Sequence, residues 1–218
     1  MNFFLSRLMN LTSCYRKTII FVGLFALIGG CVPTTNTSLL TAVSVVSGKQ
    51  KITISSPTGF CVDQRLANKS SSSITLFIID CIRVTDQNGV SIRRRPLSAI
   101  LTSTVVDYNS SNVTSINELK NILTKKPGIN YLSKSNTTAM LKVHQVEQTK
   151  NILIFLIEQR GPNIGVKQSD YFWRSFFFTK GKLIAMTASN FSDDKNSQMK
   201  LRKLLLEFSN RTLIANTL

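Results

Sequence analysis

Short apolar runs of strand character, one of them strictly alternating, recur along the chain, and a helical period replaces them in only two places. Ile52 and Ile54 alternate with Thr53 and Ser55, the spacing of a half-buried strand. Pro57-Thr58-Gly59 makes a turn before Phe60-Cys61-Val62, and residues 68–73 form a polar, Ser-rich loop. Residues 74–84 are almost all apolar, β-branched or aromatic, which predicts a central strand. Asp86-Gln87-Asn88-Gly89 carries an Asn-Gly turn signal, and residues 97–106 read as the next strand. Residues 138–146 and 152–158 predict two strands joined across 147–151. Residues 171–179 and 183–189 predict a hairpin around Lys180-Gly181.

The first helical stretch opens at Ser115, with Glu118 three residues on in capping-box spacing. Ile116, Leu119 and Leu123 fall on one face, and Pro127-Gly128 ends it. The second runs over 193–215 with Met199, Leu201, Leu204, Leu205 and Phe208 as its apolar positions. Asp193 and Asp194 lie in its first turn, where acids complement the helix dipole. The fold class expected is α+β: about seven mostly antiparallel strands and two main helices, the second a C-terminal amphipathic helix closing the chain.

The N-terminal 30 residues follow a different rule. Arg16 and Lys17 precede an apolar run over 18–28, and Gly29-Gly30-Cys31 follows. A positive end, a short apolar core and small residues at a cut describe a secretory signal. The run falls short of the roughly 20 residues a spanning helix needs; a single-pass anchor is the alternative. Met9 gives a more usual start, since Phe3, Phe4 and Leu5 lie far upstream of the charges. The boundaries are therefore a signal peptide at 1–30, a modified cysteine and tether at 31–50, and one domain at 51–218. Residues 39–46 are apolar enough for a short strand or helix within the tether.

The formal net charge is +16, of which the leader carries only Arg7, Arg16 and Lys17, so the basicity belongs to the domain. It favours anionic partners: lipid head groups, an anionic envelope polymer or an envelope protein. Export argues against nucleic acid. A 43% apolar composition with 13 Phe fits a packed core. Asn-x-Ser/Thr sequons recur, as expected of an Asn- and Ser-rich composition.

Candidate chemistry is sparse. Cys61 and Cys81 are the cysteines left after position 31, and in an exported chain such a pair suggests a disulfide, with two buried thiols the alternative. A simple hairpin between a strand ending at Cys61 and one starting at Ile74 sets Cys61 nearer Leu76 than Cys81, so a bridge requires an offset. His144 is the single histidine, which leaves no partner for a His-based triad and no multi-His metal site. Asp63, Asp80 and Asp86 are close in sequence, yet strand geometry spreads them. No catalytic residues, metal or cofactor are expected. Arg93-Arg94-Arg95 is the densest charge cluster, a solvated strand end or a docking point for an anionic partner. Tyr171-Phe172-Trp173-Arg174 and Phe176-Phe177-Phe178 concentrate bulk on both faces of one strand, which reads as core packing.

Leu27-Ile28-Gly29-Gly30-Cys31 resembles the bacterial lipobox. The resemblance implies diacylglyceryl transfer to Cys31, cleavage before it and acylation of the new amine, giving two or more acyl chains and a stable anchor. Val32 follows in place of an inner-membrane retention Asp, so the implied location is the periplasm-facing cell envelope, with the outer membrane favoured. Pro57-Thr58-Gly59-Phe60-Cys61-Val62-Asp63, with a later apolar strand ending Asp80-Cys81, is similar to a pattern in uncharacterised exported proteins of alphaproteobacteria. That likeness spans about 25 residues and strengthens the disulfide. The order of elements is loosely similar to the extrinsic photosystem II P-subunit-like fold, an analogy that transfers no function. The function expected is a non-enzymatic binding or scaffolding lipoprotein, with an envelope hydrolase or a small-ligand carrier as alternatives.

Overall fold

The computed structural model describes residues 39–84, 98–106, 113, 115–125, 128–133, 140–160, 169–191 and 195–217. Strands β1 (Ala42–Ser47) and β2 (Gln50–Ser55) form an antiparallel hairpin, with Val45 opposite Ile52. Strands β3 (Phe60–Lys69), β4 (Ser73–Asp80), β5 (Ile100–Val106), β6 (Met140–Thr149), β7 (Ile152–Arg160), β8 (Tyr171–Thr179) and β9 (Lys182–Ser189) form a seven-stranded sheet in the order β3-β4-β5-β9-β8-β7-β6. Every neighbouring pair is antiparallel. The helices are the single turn α1 (Cys81–Val84), α2 (Ile116–Leu123) and the long α3 (Lys195–Thr217), with a 3₁₀ turn at Gly128–Leu132. The class is α+β, dominated by the sheet, and α3 is the C-terminal helix.

Three local expectations change. The segment read as tether contains β1, whose Val45 packs into the core, and Val62 N–H donates to Leu40 O at 2.8 Å. The folded body therefore begins about ten residues before Lys51. Cys61 begins a strand instead of ending one: β3 runs on to Lys69, and its turn to β4 needs only residues 70–72. Finally, the apolar run at 74–84 is a strand only to Asp80. There Asp80 accepts hydrogen bonds from Ser98 N–H (3.1 Å) and Oγ (2.8 Å), and Cys81 N–H donates to Gly59 O, turning the chain out of the sheet into α1.

The two faces of the sheet are covered unequally. On one face lie α3 and the β1–β2 hairpin. Leu201, Leu205 and Phe208 of α3 join Ile52 and Ile54 of β2 over Ile78, Leu101, Phe177 and Met186 of the sheet. Two polar residues one helical turn apart fix the far end of α3. Thr212 Oγ1 accepts from Ser55 N–H (3.2 Å), Asn216 Oδ1 accepts from Thr53 N–H (2.9 Å), and Asn216 Nδ2 donates to Thr53 O (2.7 Å). Trp173 Nε1 donates to Gln198 O at 3.0 Å near the other end of the helix.

On the opposite face, among the described residues, α2 and the 3₁₀ turn lie over the β6–β7–β8 side and reach Leu183 and Ala185 of β9. The capping box is formed: Glu118 N–H donates to Ser115 Oγ (3.2 Å) and Ser115 N–H to Glu118 Oε2 (3.1 Å). Leu119, Leu123 and Leu132 pack on Phe155, Ile157, Phe172 and Phe176. The chain doubles back at Gly128 so tightly that a Cβ there meets Ile122 O at 1.8 Å. Only glycine fits, and the tight return sets the 3₁₀ turn against the sheet. The β4–β5 side of this face is left without a helical cover among the described residues.

A hydroxyl-lined hollow on the open half of the sheet

On that uncovered side a line of residues crosses four strands. Phe77 of β4 is opposite Thr102 of β5, Thr102 opposite Thr187 of β9, and Thr187 opposite Arg174 of β8. Parallel lines place Thr75 opposite Thr104 and Ile100 opposite Ser189. Since side chains two apart share a face, Thr102 with Thr104 and Thr187 with Ser189 present four hydroxyls to one side. Together these residues line a hollow of about 280 Å³.

Arg174 stands at the inner wall, where α2 and the 3₁₀ turn begin. It is mostly buried, and its Nη1 group donates to the carbonyl oxygens of Leu132 (3.2 Å) and Ser133. Its Cζ lies 5.5 Å from the centroid of the Phe176 ring. Its Nε has no hydrogen-bond partner, and Nη2 makes no hydrogen bond to the described residues. Burial lowers its pKa to about 10, and no acid among the described residues offsets this. It is still protonated at neutral pH. The hollow thus joins one uncompensated guanidinium to a row of hydroxyls and two apolar walls, Phe77 and Ile100. Thr75 and Thr104 share a hydrogen bond at 3.0 Å, while Thr102 and Thr187 make none to the described residues.

Such a wall can bind but has no group that titrates near neutrality. Among the described residues three carboxylates stand out, away from the hollow and each tied to its own partners. Asp63 accepts from Arg65 Nε (2.8 Å) and Nη2 (2.6 Å). Glu158 is buried between His144 Nε2 (2.6 Å) and Arg160 Nε (2.5 Å). His144 sits where the β6–β7 register slips between Val143 and Gln145, a bulge that aims its ring at Glu158. Glu207 of α3 accepts from Thr58 N–H at 3.0 Å and pairs with Arg211. Among the described residues no group of three or more His, Cys, Asp or Glu comes together as a metal site would require.

These three carboxyls contribute to the acid limb of stability. The hydrogen bond from His144, then Arg160, lowers the Glu158 pKa, the Arg65 side chain lowers that of Asp63, and the Thr58 N–H lowers that of Glu207. On unfolding they regain ordinary values of 4.5 for the glutamates and 3.8 for the aspartate, so in the acid range the unfolded chain binds more protons. Their contribution is complete above those values and is lost as pH falls through the lower folded ones. Melting temperature measured from pH 7 to pH 3 should fall below about pH 4.5. A Glu158→Gln variant should show a shallower fall; an unchanged slope would remove Glu158 from this role.

Of the residues singled out from the sequence, Cys31 and Arg93, Arg94 and Arg95 lie outside the described residues, as do Asp86 and the helix-start acids Asp193 and Asp194. Cys61 and Cys81 have their sulfurs 2.07 Å apart, joined across the mouth of the β3–β4 hairpin, where Cys61 faces Ile79. The offset needed for the bridge is met by moving the turn to 70–72. The aromatic run 171–178 divides between the faces: Trp173 and Phe177 under α3, Phe172 and Phe176 under α2. Residue-by-residue reading missed the hollow and Arg174. The signals were Thr102-Ser103-Thr104 in a strand otherwise apolar, and a lone arginine inside an aromatic run.

Among the described residues no helix is long and apolar enough to cross a membrane. No protein-family model matches the chain, and no curated protein does. Among solved structures it is similar to the extracellular domain of PknH from Mycobacterium tuberculosis at 7% identity. The match covers 64% of this chain and 63% of that one, and the TM-score of 0.32 is too low to assign either fold or function.

Proposed function

We propose that the chain is an exported lipoprotein, held to the periplasm-facing envelope through acylated Cys31, whose domain binds a small ligand without converting it. The observation that carries the binding reading is the hollow, with its hydroxyl wall and unpaired Arg174. The lining residues are Thr, Ser, Phe, Ile and Arg, and a hydroxyl nucleophile among them has no general base beside it. The Arg16-Lys17 end, the apolar run and the lipobox-like Leu27-Ile28-Gly29-Gly30-Cys31 support export and anchoring. The strongly basic domain favours anionic partners at the envelope surface.

Native mass spectrometry of the full chain isolated from its own envelope tests both parts. The expected species begins at Cys31, carries acyl mass there, and releases a small-molecule adduct on gentle activation. Thr102→Phe, which fills the hollow, should keep the lipid and lose the adduct. An uncut, unacylated chain would refute the anchor, and an adduct that survives Thr102→Phe would refute the hollow as the binding site.

A further inference from the structure

We propose that the hollow is a receptor for a small monocarboxylate, gripped by the free edge of the Arg174 guanidinium and seated among the threonine hydroxyls. This rests on the hollow being a ligand site and names the ligand's chemistry.

The guanidinium is used on one side only. Both of its backbone contacts come from Nη1, to Leu132 O and Ser133 O, which clamps the plane of the group. The remaining edge, Nε–H with Nη2–H, is the pair of parallel donors that matches the two oxygens of a carboxylate. Nε is buried and has no protein partner, an orphan donor within the wall that a ligand oxygen would have to enter to reach. A mostly buried cation without an acid is costly to maintain. Its neighbours supply hydroxyls and an aromatic ring and no negative charge. A ligand carboxylate would supply the missing charge.

Register then places the second contact. Thr187 is directly opposite Arg174, and Thr102 is directly opposite Thr187. With strands roughly 4.8 Å apart, both hydroxyls lie within one small ligand's length of the guanidinium. Both lack hydrogen-bond partners among the described residues. Phe77 and Ile100 face the ligand's body from the outer strands. One cation matches one negative charge, so a phosphate dianion would be left half compensated. The basic surface raises the local concentration of anions in general, but only the clamped fork distinguishes a planar carboxylate from the rest.

Isothermal titration calorimetry of the intact lipoprotein in detergent, at pH 7 and fixed chloride, tests the assignment. The probes are acetate, benzoate and cyclohexanecarboxylate, each beside its neutral amide, with phenyl phosphate as the dianion. At least one carboxylate should bind saturably while its amide does not. Arg174→Gln should weaken it by about 30-fold or more, as loss of one member of a desolvated charge pair does. Thr187→Val, which leaves the guanidinium and its clamp in place, should weaken it by about tenfold. Where Arg174→Gln does not fold, Thr102→Phe decides, because it must abolish binding with Arg174 intact.

Amides that bind as well as carboxylates, both lost in Thr102→Phe, overturn the carboxylate assignment while leaving the hollow as a neutral-ligand site. Tighter binding of phenyl phosphate than of any carboxylate overturns it in favour of a phosphoryl group. No saturable binding of any probe, or binding indifferent to Thr102→Phe, overturns the assignment and removes its support from the hollow as well.

Discussion

Phe208→Ala should lower the free energy of unfolding by about 3–5 kcal/mol, the range for emptying a fully buried aromatic site. Phe208 is 0% exposed and sits midway along α3, with Leu205 and Leu201 before it on the same face. The ring fills space between the helix and the sheet that no neighbour can reach without moving the helix. That helix is also tied at its far end by Thr212 and Asn216 to β2, and near its start by Trp173 to Gln198 O. Collapse into the cavity would strain these bonds, so relaxation is limited and the cost belongs in the upper part of the range. For a domain of this size that is a melting-temperature loss of about 10 °C. Met199→Ala and Ile214→Ala are the controls. Both side chains lie on the outer face of α3, at 64% and 65% exposure, and alanine is at least as good a helix former, so each should change stability by no more than about 0.5 kcal/mol. Thermal melts of the three variants measure this directly. Equal losses from inner and outer faces would mean that α3 does not pack as described.

The helix and most strands were legible because their signals are local. Ser115 and Glu118 carry the capping box in their spacing, Lys180-Gly181 marks its turn by adopting left-handed φ of 46° and 69°, and the apolar stripe of α3 repeats at the helical period. The signal for the hollow is weak and takes its meaning from distant residues. Thr102 and Thr104 alternate with buried residues just as any solvated strand face does. They become a wall only because β9, 76 or more residues later in the chain, inserts between β5 and β8 and brings Thr187 and Ser189 alongside. Arg174 was hidden by its neighbours: within Tyr171-Phe172-Trp173-Arg174 the bulk of the aromatics dominated the reading. Its meaning depends on the carbonyls of Leu132 and Ser133, about 40 residues away. The same distinction explains the misplaced hairpin. Asn68 and Lys69 are polar because β3 is an edge strand with exposed residues from Gln64 onward, which in sequence looks like a loop.

Replacing both cysteines, Cys61→Ala with Cys81→Ala, should remove about 3 kcal/mol of stability, nearly all of it through the unfolded chain. The bridge spans 20 residues, and closing a loop of that length restricts the denatured ensemble by about that amount in the chain-entropy model. Little is lost in the folded state. The β3–β4 ladder pairs Phe60–Asp63 with Phe77–Asp80 and, past a register shift, Asn68 and Lys69 with Thr75 and Ile74, and alanine keeps the small apolar character of the buried Cys61 site. β3 is, however, the sheet's outer strand, paired on one side only, and the bridge ties its first residues to the end of β4. Hydrogen exchange should therefore quicken at the 60–63 end of β3 while the β8–β9 core stays protected. Urea unfolding should show a lower midpoint with a steeper slope, because an unbridged chain exposes more surface. The chemistry also reports on location, since such bonds form in oxidising compartments. If the chain is exported as proposed, thiol trapping of the wild-type chain should find Cys61 and Cys81 unreactive, and a chain lacking residues 1–30, kept in the cytoplasm, should show both free. Free thiols in the envelope form would undo the bridge, and with it one support for export.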